Sequence, residues 1–184
     1  ILVVWDGADS EFITERRDPD GIAIRNKVPN SVVTRTFSKI FALAGLRLGW
    51  AYSNEKIIEL LEKVRGPFNV NTLSQNVGTL ILKEKEFLRK SIIHNDKWRK
   101  ILPTEIKKIG LESYESFANF VLIIVNDKKY SKAKILSFLK TKKILVRDLS
   151  NYGMKHFFRV SIGSTSDLRK FLKELRNSIN TKNA

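Results

Sequence analysis

The chain contains no cysteine, only two histidines and a single methionine among its 184 residues. Without thiols there is no disulfide, no thiolate zinc site and no cysteine nucleophile. His94 and His156 are too few and too far apart to suggest a histidine-based metal site, so no metal is expected. Long apolar runs are also missing. None approaches the roughly 18 uncharged residues that a membrane helix needs. The run Ile1–Trp5 is short and is broken at Asp6. Neither a membrane span nor a secretory signal is therefore expected, and the expected location is cytoplasmic. Acids are scarce: 19 Asp and Glu stand against 34 Lys and Arg, a formal net charge of +15. An initiator methionine is lacking too, and the chain opens inside a strand-like segment, so an upstream portion is expected to be missing.

Hydrophobic residues make up 42% of the chain, enough for one core or two small ones and too many for a disordered tail. The basic excess invites a nucleic-acid reading. However, the lysines and arginines are scattered in short clusters such as Lys83–Glu86, Lys97–Lys100 and Lys140–Lys143. Many sit beside Glu or Asp at helix-face spacing, the pattern of a solvated, ion-paired surface. Phe117, Phe120, Phe157 and Phe158 lie in apolar segments rather than interleaved with the bases. A Lys-rich surface is the simpler reading, and no nucleic-acid partner is expected.

Ile1–Asp6, Ser31–Phe37 and Leu48–Ser53 read as three buried strands, the first ending in an acid. Phe12–Asn30 reads as loop with room for one short helix. Asn54 is a candidate cap for a helix over Glu55–Val64. A long helix is expected from about Thr72 to Leu102, where Pro103 interrupts it or begins another. Beyond Gly110 the rhythm changes. Strands are expected at Glu112–Ser116, Ala118–Val125, Ile144–Arg147 and Phe157–Ile162, and helices at Ser131–Leu139 and Ser166–Ile179. The expected class is α/β, followed by an α+β unit, with the two joined by a long helix.

The chemistry concentrates in Thr36-Phe37-Ser38-Lys39 and Gly45-Leu46-Arg47-Leu48-Gly49. Lys39 follows a buried strand, where partial desolvation would favour reaction with a carbonyl. The same residue also reads as an ordinary surface lysine in a chain this basic. Thr36, Ser38 and Arg47 suit a phosphate, Arg47 through its charged fork. Asp6, at the end of a buried strand, calls for a cationic partner, although a strand-end turn residue is the plainer alternative. Phosphate anchors, a carbonyl-reactive lysine and one acid together suit pyridoxal phosphate, whose ring nitrogen needs an acidic partner.

Asp6–Phe12, Thr34–Ala51, Arg65–Asn71, Ser116–Leu122 and Leu145–Ser164 together resemble the histidinol-phosphate aminotransferases. These form a branch of the fold-type I, aspartate aminotransferase-like pyridoxal-phosphate enzymes. The resemblance runs in order along almost the whole chain. It implies a fold-type I large-domain portion over residues 1–85, and a linking helix with the small C-terminal domain over 86–184. It implies pyridoxal 5'-phosphate as cofactor, with Lys39 attaching it and then carrying the proton. Asp6 would serve the ring nitrogen, and Thr36, Ser38 and Arg47 the phosphate. Arg159 would anchor the anionic end of the substrate, with Arg147 and Asn119 nearby; Arg65 reads as structural. The implied reaction passes an amino group between L-glutamate and imidazole-acetol phosphate, giving 2-oxoglutarate and L-histidinol phosphate, in histidine biosynthesis. An aromatic aminotransferase and a phosphothreonine decarboxylase share most of these residues, and a non-catalytic basic binding module is the alternative of another class. Homodimers are implied for full-length members.

Two departures from the family stand out. The family carries Tyr three residues after the cofactor's acid, where this chain has Asp9. A carboxylate there would repel the cofactor's ring oxyanion unless it is protonated or turned away. The resemblance also covers only the C-terminal half of the family, so this segment alone is expected to be inactive.

Overall fold

A computed structural model describes residues 1–13, 21–126 and 128–180 and resolves the chain into two units, Ile1–Ile93 and His94–Ala184. In the first unit the β-branched run Ser31–Thr36 forms β2, the middle of three strands. It pairs in parallel with β1 (Val3–Asp6), Val3 lying opposite Ser31 and Asp6 opposite Thr34. It pairs antiparallel with β3 (Gly49–Tyr52), Thr36 lying opposite Gly49. Val32 and Val33 on β2 are buried, as expected. The flanking strands are not: Val4 on β1 is 60% exposed and Trp50 on β3 is 42% exposed. A three-stranded sheet has one inner strand, so the apolar side chains of both edges stay within reach of water.

Gly49 is required by its surroundings, because a Cβ there would meet the carbonyl oxygen of Arg35 at 2.8 Å, and backbone cannot swing aside. Gly49→Ala is expected to destabilise the first unit by about 1–3 kcal/mol, read as a lower urea midpoint. An unchanged midpoint would mean that the β2–β3 ladder can part at no cost.

In the 12–30 segment, α1 covers Gly21–Lys27, and residues 14–20 lie outside the described residues. Helix α2 (Glu55–Val64) starts where Asn54 accepts the Ile57 N–H at 2.9 Å. The single helix expected over 72–102 is two. Helix α3 runs over Thr72–Ile81 and α4 over Lys85–Lys108. Between them the N–H groups of Lys83 and Glu84 turn back to the carbonyls of Leu80 and Ile81. Lys83–Glu86 are all charged and Leu82 before them is exposed, so the turn itself carries no buried apolar side chain. Pro103 neither ends nor begins a helix. It lies inside α4, where Leu102 and Ile106 are wholly buried and offset the hydrogen bond that proline forfeits.

The second unit is an antiparallel sheet in the order β4-β5-β7-β6, built from β4 (Glu112–Ser113), β5 (Phe120–Ile124), β6 (Arg147–Asp148) and β7 (Phe157–Ser161). Strand β6 is shorter and later than the expected Ile144–Arg147, because Ile144 and Val146 pack against the core rather than joining the ladder. Helices α5 (Lys132–Thr141) and α6 (Thr165–Asn180) complete the unit. Alternation along β5 and β7 turns Val121, Ile123, Phe158 and Val160 into the core. Leu122 and Arg159 lie opposite one another between them. The chain is thus a mixed α/β protein. Among the described residues no helix is long and apolar enough to cross a membrane.

Candidate functional site

Asp6 and Thr36 end two neighbouring parallel strands, so the chain places them at the same edge of the first sheet. Ligands of α/β folds gather at such carboxyl ends. Asp6 is exposed rather than buried, and its Oδ1 accepts the Ala8 N–H at 3.1 Å and lies 3.4 Å from the Thr34 hydroxyl. The strand it ends is an exposed edge, so no cation is needed to make the acid tolerable there.

Past Thr36 the backbone alternates plugs and presented groups. Phe37, Ile40 and Phe41 are buried, and Phe12 from the turn after Asp6 joins them in one cluster. That cluster anchors both loops, the one that follows Asp6 and the one that carries Lys39. Ser38 and Lys39 sit between the plugs, and Lys39 is exposed to solvent rather than shielded. The turn is pinned by Ala42 N–H to the Lys39 carbonyl (2.9 Å) and Leu43 N–H to the Phe37 carbonyl (3.0 Å). The hydroxyl of Thr36 accepts the Ser38 N–H at 3.0 Å. Arg47 donates to the Ala44 carbonyl at 2.8 Å and lies 3.5 Å from the Ser38 hydroxyl. Arg47 holds a left-handed backbone (φ 52°), a conformation non-glycine residues adopt sparingly and often beside ligands. Thr36, Ser38 and Arg47 are therefore gathered at one strand end beside Lys39. Two hydroxyls and a guanidinium suit a phosphate, and an exposed amine beside them suits an aldehyde, so this donor set fits pyridoxal phosphate.

Asp9, at the departure from the family, is half-buried in the turn after Asp6. Nearby Glu11 has its carboxyl pushed up, chiefly by burial; the Arg35 guanidinium pulls it down and Asp9 adds to the rise. Arg35 lies 4.0 Å from Glu11 and donates to the Gly7 carbonyl at 3.0 Å. Arg65 pairs with Glu62 and donates to Asn69, a local helix-end contact.

In the second unit Arg147 and Arg159 face one another across β6 and β7. Both line a cavity of about 330 Å³, with Ser161, Gly163 and Asp167. The guanidinium of Arg159 lies 4.8 Å above the Phe120 ring, and its Nε is buried without a hydrogen-bond partner among the described residues. Arg147 donates to the Tyr152 hydroxyl at 3.1 Å, which draws the phenol below its ordinary range. Asn119 sits just before β5, its carbonyl accepting the Ile162 N–H at 2.8 Å.

Several supporting side chains escaped the sequence reading. His94 lies 2.8 Å from the Gly163 carbonyl and Trp98 donates to Thr165 at 3.1 Å. Asn95 and Arg99 donate to the carbonyls of Ala118 and Ser116. One helix thus holds the segment just before Asn119 and the segment just after Arg159, and only its spacing of polar residues among apolar ones hinted at this. Lys132 was invisible among so many lysines. It is buried and donates to Asp148 at 2.6 Å and Ser150 at 2.7 Å. Lys132 and the Ser150 N–H hold the Asp148 carboxyl down at about 2. The stabilisation from this depressed acid is complete above its ordinary 3.8 and is lost as pH falls through about 2. Among the described residues no cluster of acids and histidines could hold a metal ion.

The family model for aminotransferase class I and II matches residues 1–175. A histidinol-phosphate aminotransferase of Maricaulis maris is 37% identical over 175 residues, 95% of this chain and 48% of that protein. Histidinol-phosphate aminotransferase 2 of Ralstonia nicotianae is 38% identical, covering 89% of this chain and 44% of its own length. The chain spans about half the length of the curated relatives it matches. Among solved structures, the histidinol-phosphate aminotransferase of Clostridium acetobutylicum superposes with a TM-score of 0.90 at 24% identity, covering 98% of this chain and 55% of that one. The Sinorhizobium meliloti enzyme, solved in complex with pyridoxal-5'-phosphate, gives 0.88 at 22% identity, covering 98% and 49%. At such identities the two structures speak for the fold.

Proposed function

Because the chain belongs to the aminotransferase class I and II family, we propose that it is the lysine-bearing half of a pyridoxal-phosphate transaminase that exchanges an amino group between L-glutamate and imidazole-acetol phosphate. The observation that carries this reading is the gathering of Thr36, Ser38 and Arg47 beside exposed Lys39, with Asp6 ending the adjacent parallel strand. When bound, pyridoxal phosphate supplies the electron sink that lets an amino group leave one substrate and join another. Thr36, Ser38 and Arg47 would hold the phosphate, and Asp6 would serve the ring nitrogen. Lys39 would be the attachment point for the cofactor's aldehyde and would carry the proton, a role open to a lysine and closed to an arginine. Arg159 would receive the substrate's anion, carboxylate or phosphate, with Arg147 opposite it on β6 and Asn119 just before β5.

The finer architecture belongs to this reading. Residues 1–85 supply the C-terminal part of a cofactor-binding large domain, and 86–184 supply a linking helix and the small domain. The working enzyme is a full-length cytoplasmic homodimer. Given L-glutamate and imidazole-acetol phosphate, the full-length protein is expected to release L-histidinol phosphate and 2-oxoglutarate in equal amounts. A preference for aromatic 2-oxo acids, or release of carbon dioxide from phosphothreonine, would replace this substrate assignment. Turnover of none of these, together with salt-sensitive nucleic-acid binding, would replace the whole reading.

A further inference from the structure

The second unit places two arginines face to face across two strands, one of which is too short to hold its arginine unaided. Strand β6 is two residues long, at the edge of its sheet. Like charges directly opposite one another across a ladder repel. Without restraint Arg147 would swing into solvent and leave Arg159 alone in the cavity. The restraint comes from α5. The buried Nζ of Lys132 donates to Asp148 Oδ1 at 2.6 Å, to Ser150 Oγ at 2.7 Å and, at 3.4 Å, to the Phe157 carbonyl. Asp148 Oδ1 in turn accepts the Ser150 N–H at 3.0 Å and its hydroxyl at 2.9 Å. These bonds tie together β6, the start of β7 and the turn Ser150–Tyr152, which closes through left-handed Gly153 (φ 78°). Tyr152, at the end of that turn, receives the Arg147 guanidinium at 3.1 Å. Among the described residues Asp167 is the one acid on the cavity wall, and it accepts the Ser164 hydroxyl at 2.6 Å.

We propose that Lys132 is a positioning residue for a two-arginine anion subsite, acting through Asp148 and Ser150 to hold Arg147 and Tyr152 beside Arg159. The ligand class is a substrate anion, a phosphomonoester or a carboxylate. The proposal rests on the anion-anchoring role given to Arg159 and Arg147 above. Held together, the two forks offer a dianion more donors than either offers alone, which relieves their mutual repulsion.

The test titrates inorganic phosphate into the 184-residue chain and follows the side-chain N–H signals of Arg147 and Arg159 by NMR. Both signals are expected to shift together and saturate. Lys132→Met is expected to weaken phosphate binding about tenfold, with Arg147 losing its response while Arg159 keeps some. Lys132→Arg, which keeps the charge and a fork of donors, is expected to restore most of the affinity. Ser150→Ala keeps every charge and is expected to weaken binding about threefold, which separates positioning from a simple loss of positive charge. It also decides the matter if Lys132→Met fails to fold. Unchanged affinity in a folded Lys132→Met, or in Ser150→Ala, overturns the positioning role and leaves the anion site standing. Absence of a saturable response at both arginines in the unaltered chain overturns the anion site itself.

Discussion

Replacing Lys39 by alanine is expected to lower transamination by the full-length protein about a thousandfold or more, the scale of losing a positioned proton carrier. The expectation follows from how the turn is built. Phe37, Ile40 and Phe41 are sunk in a cluster shared with Phe12, so the backbone at Lys39 is fixed while its side chain is free of the core. An exposed side chain costs little to remove, within about 0.5 kcal/mol, so the loss would not be one of folding. Lys39→Arg is expected to be nearly as damaging, since a guanidinium keeps the charge and cannot surrender its proton at neutral pH. Single-turnover rates with L-glutamate measure the effect. A parallel reading comes from adding pyridoxal phosphate to the 184-residue chain: an absorption band near the visible edge should appear with Lys39 and be absent in Lys39→Ala. A variant that keeps its rate within tenfold would remove Lys39 from the chemistry.

What could be read from the sequence was what is local in it. Thr36, Ser38, Lys39 and Arg47 fall within one strand and the loop that follows, and a short loop cannot separate its own ends. The helix over Glu55–Val64 announced itself through Asn54, which caps its start, and an apolar stripe, which the structure leaves unburied. Exposure was not legible. Ile1–Trp5 has the composition of a buried strand, and burial depends on neighbours that no single segment contains. The same holds for Lys39, where an apolar flank suggested shelter and the structure leaves the amine in solvent. Pro103 misled because the rule against proline in a helix counts one lost hydrogen bond and not the wholly buried Leu102 and Ile106 beside it. The Lys132–Asp148 pair was hidden for a different reason. Its members are 16 residues apart on different elements, in a chain where lysine is the commonest surface residue. Only the three-dimensional arrangement tells this lysine from the others.

Phe158→Ala is expected to be the most damaging core substitution in the second unit. Phe158 is wholly buried on β7, between Ile123 on β5 and Asp148 on β6. Truncating such a ring costs about 3–5 kcal/mol, part lost transfer energy and part the cavity left behind. A unit of this size has only about 5–15 kcal/mol in hand. The indole N–H of Trp98, which donates to Thr165 within this unit, gives a local NMR signal for urea unfolding. Leu145→Ala, at a side chain 83% exposed, is the control and should shift the midpoint by no more than about 0.5 kcal/mol. The consequence reaches the anion site through strand geometry. Successive side chains on a strand point to opposite faces, so Phe158 in the core and Arg159 at the cavity are two readings of one register. Removing the ring loosens the fix that sets Arg159 across from Arg147. Phosphate binding should therefore weaken in Phe158→Leu, a milder change that keeps the unit folded, although the substituted side chain never touches the ligand. A destabilisation below about 1 kcal/mol for Phe158→Ala would mean that the core closes over the gap. In that case the register of β7 is held by its backbone ladder, and Arg159 owes its place to β5 and β6 alone.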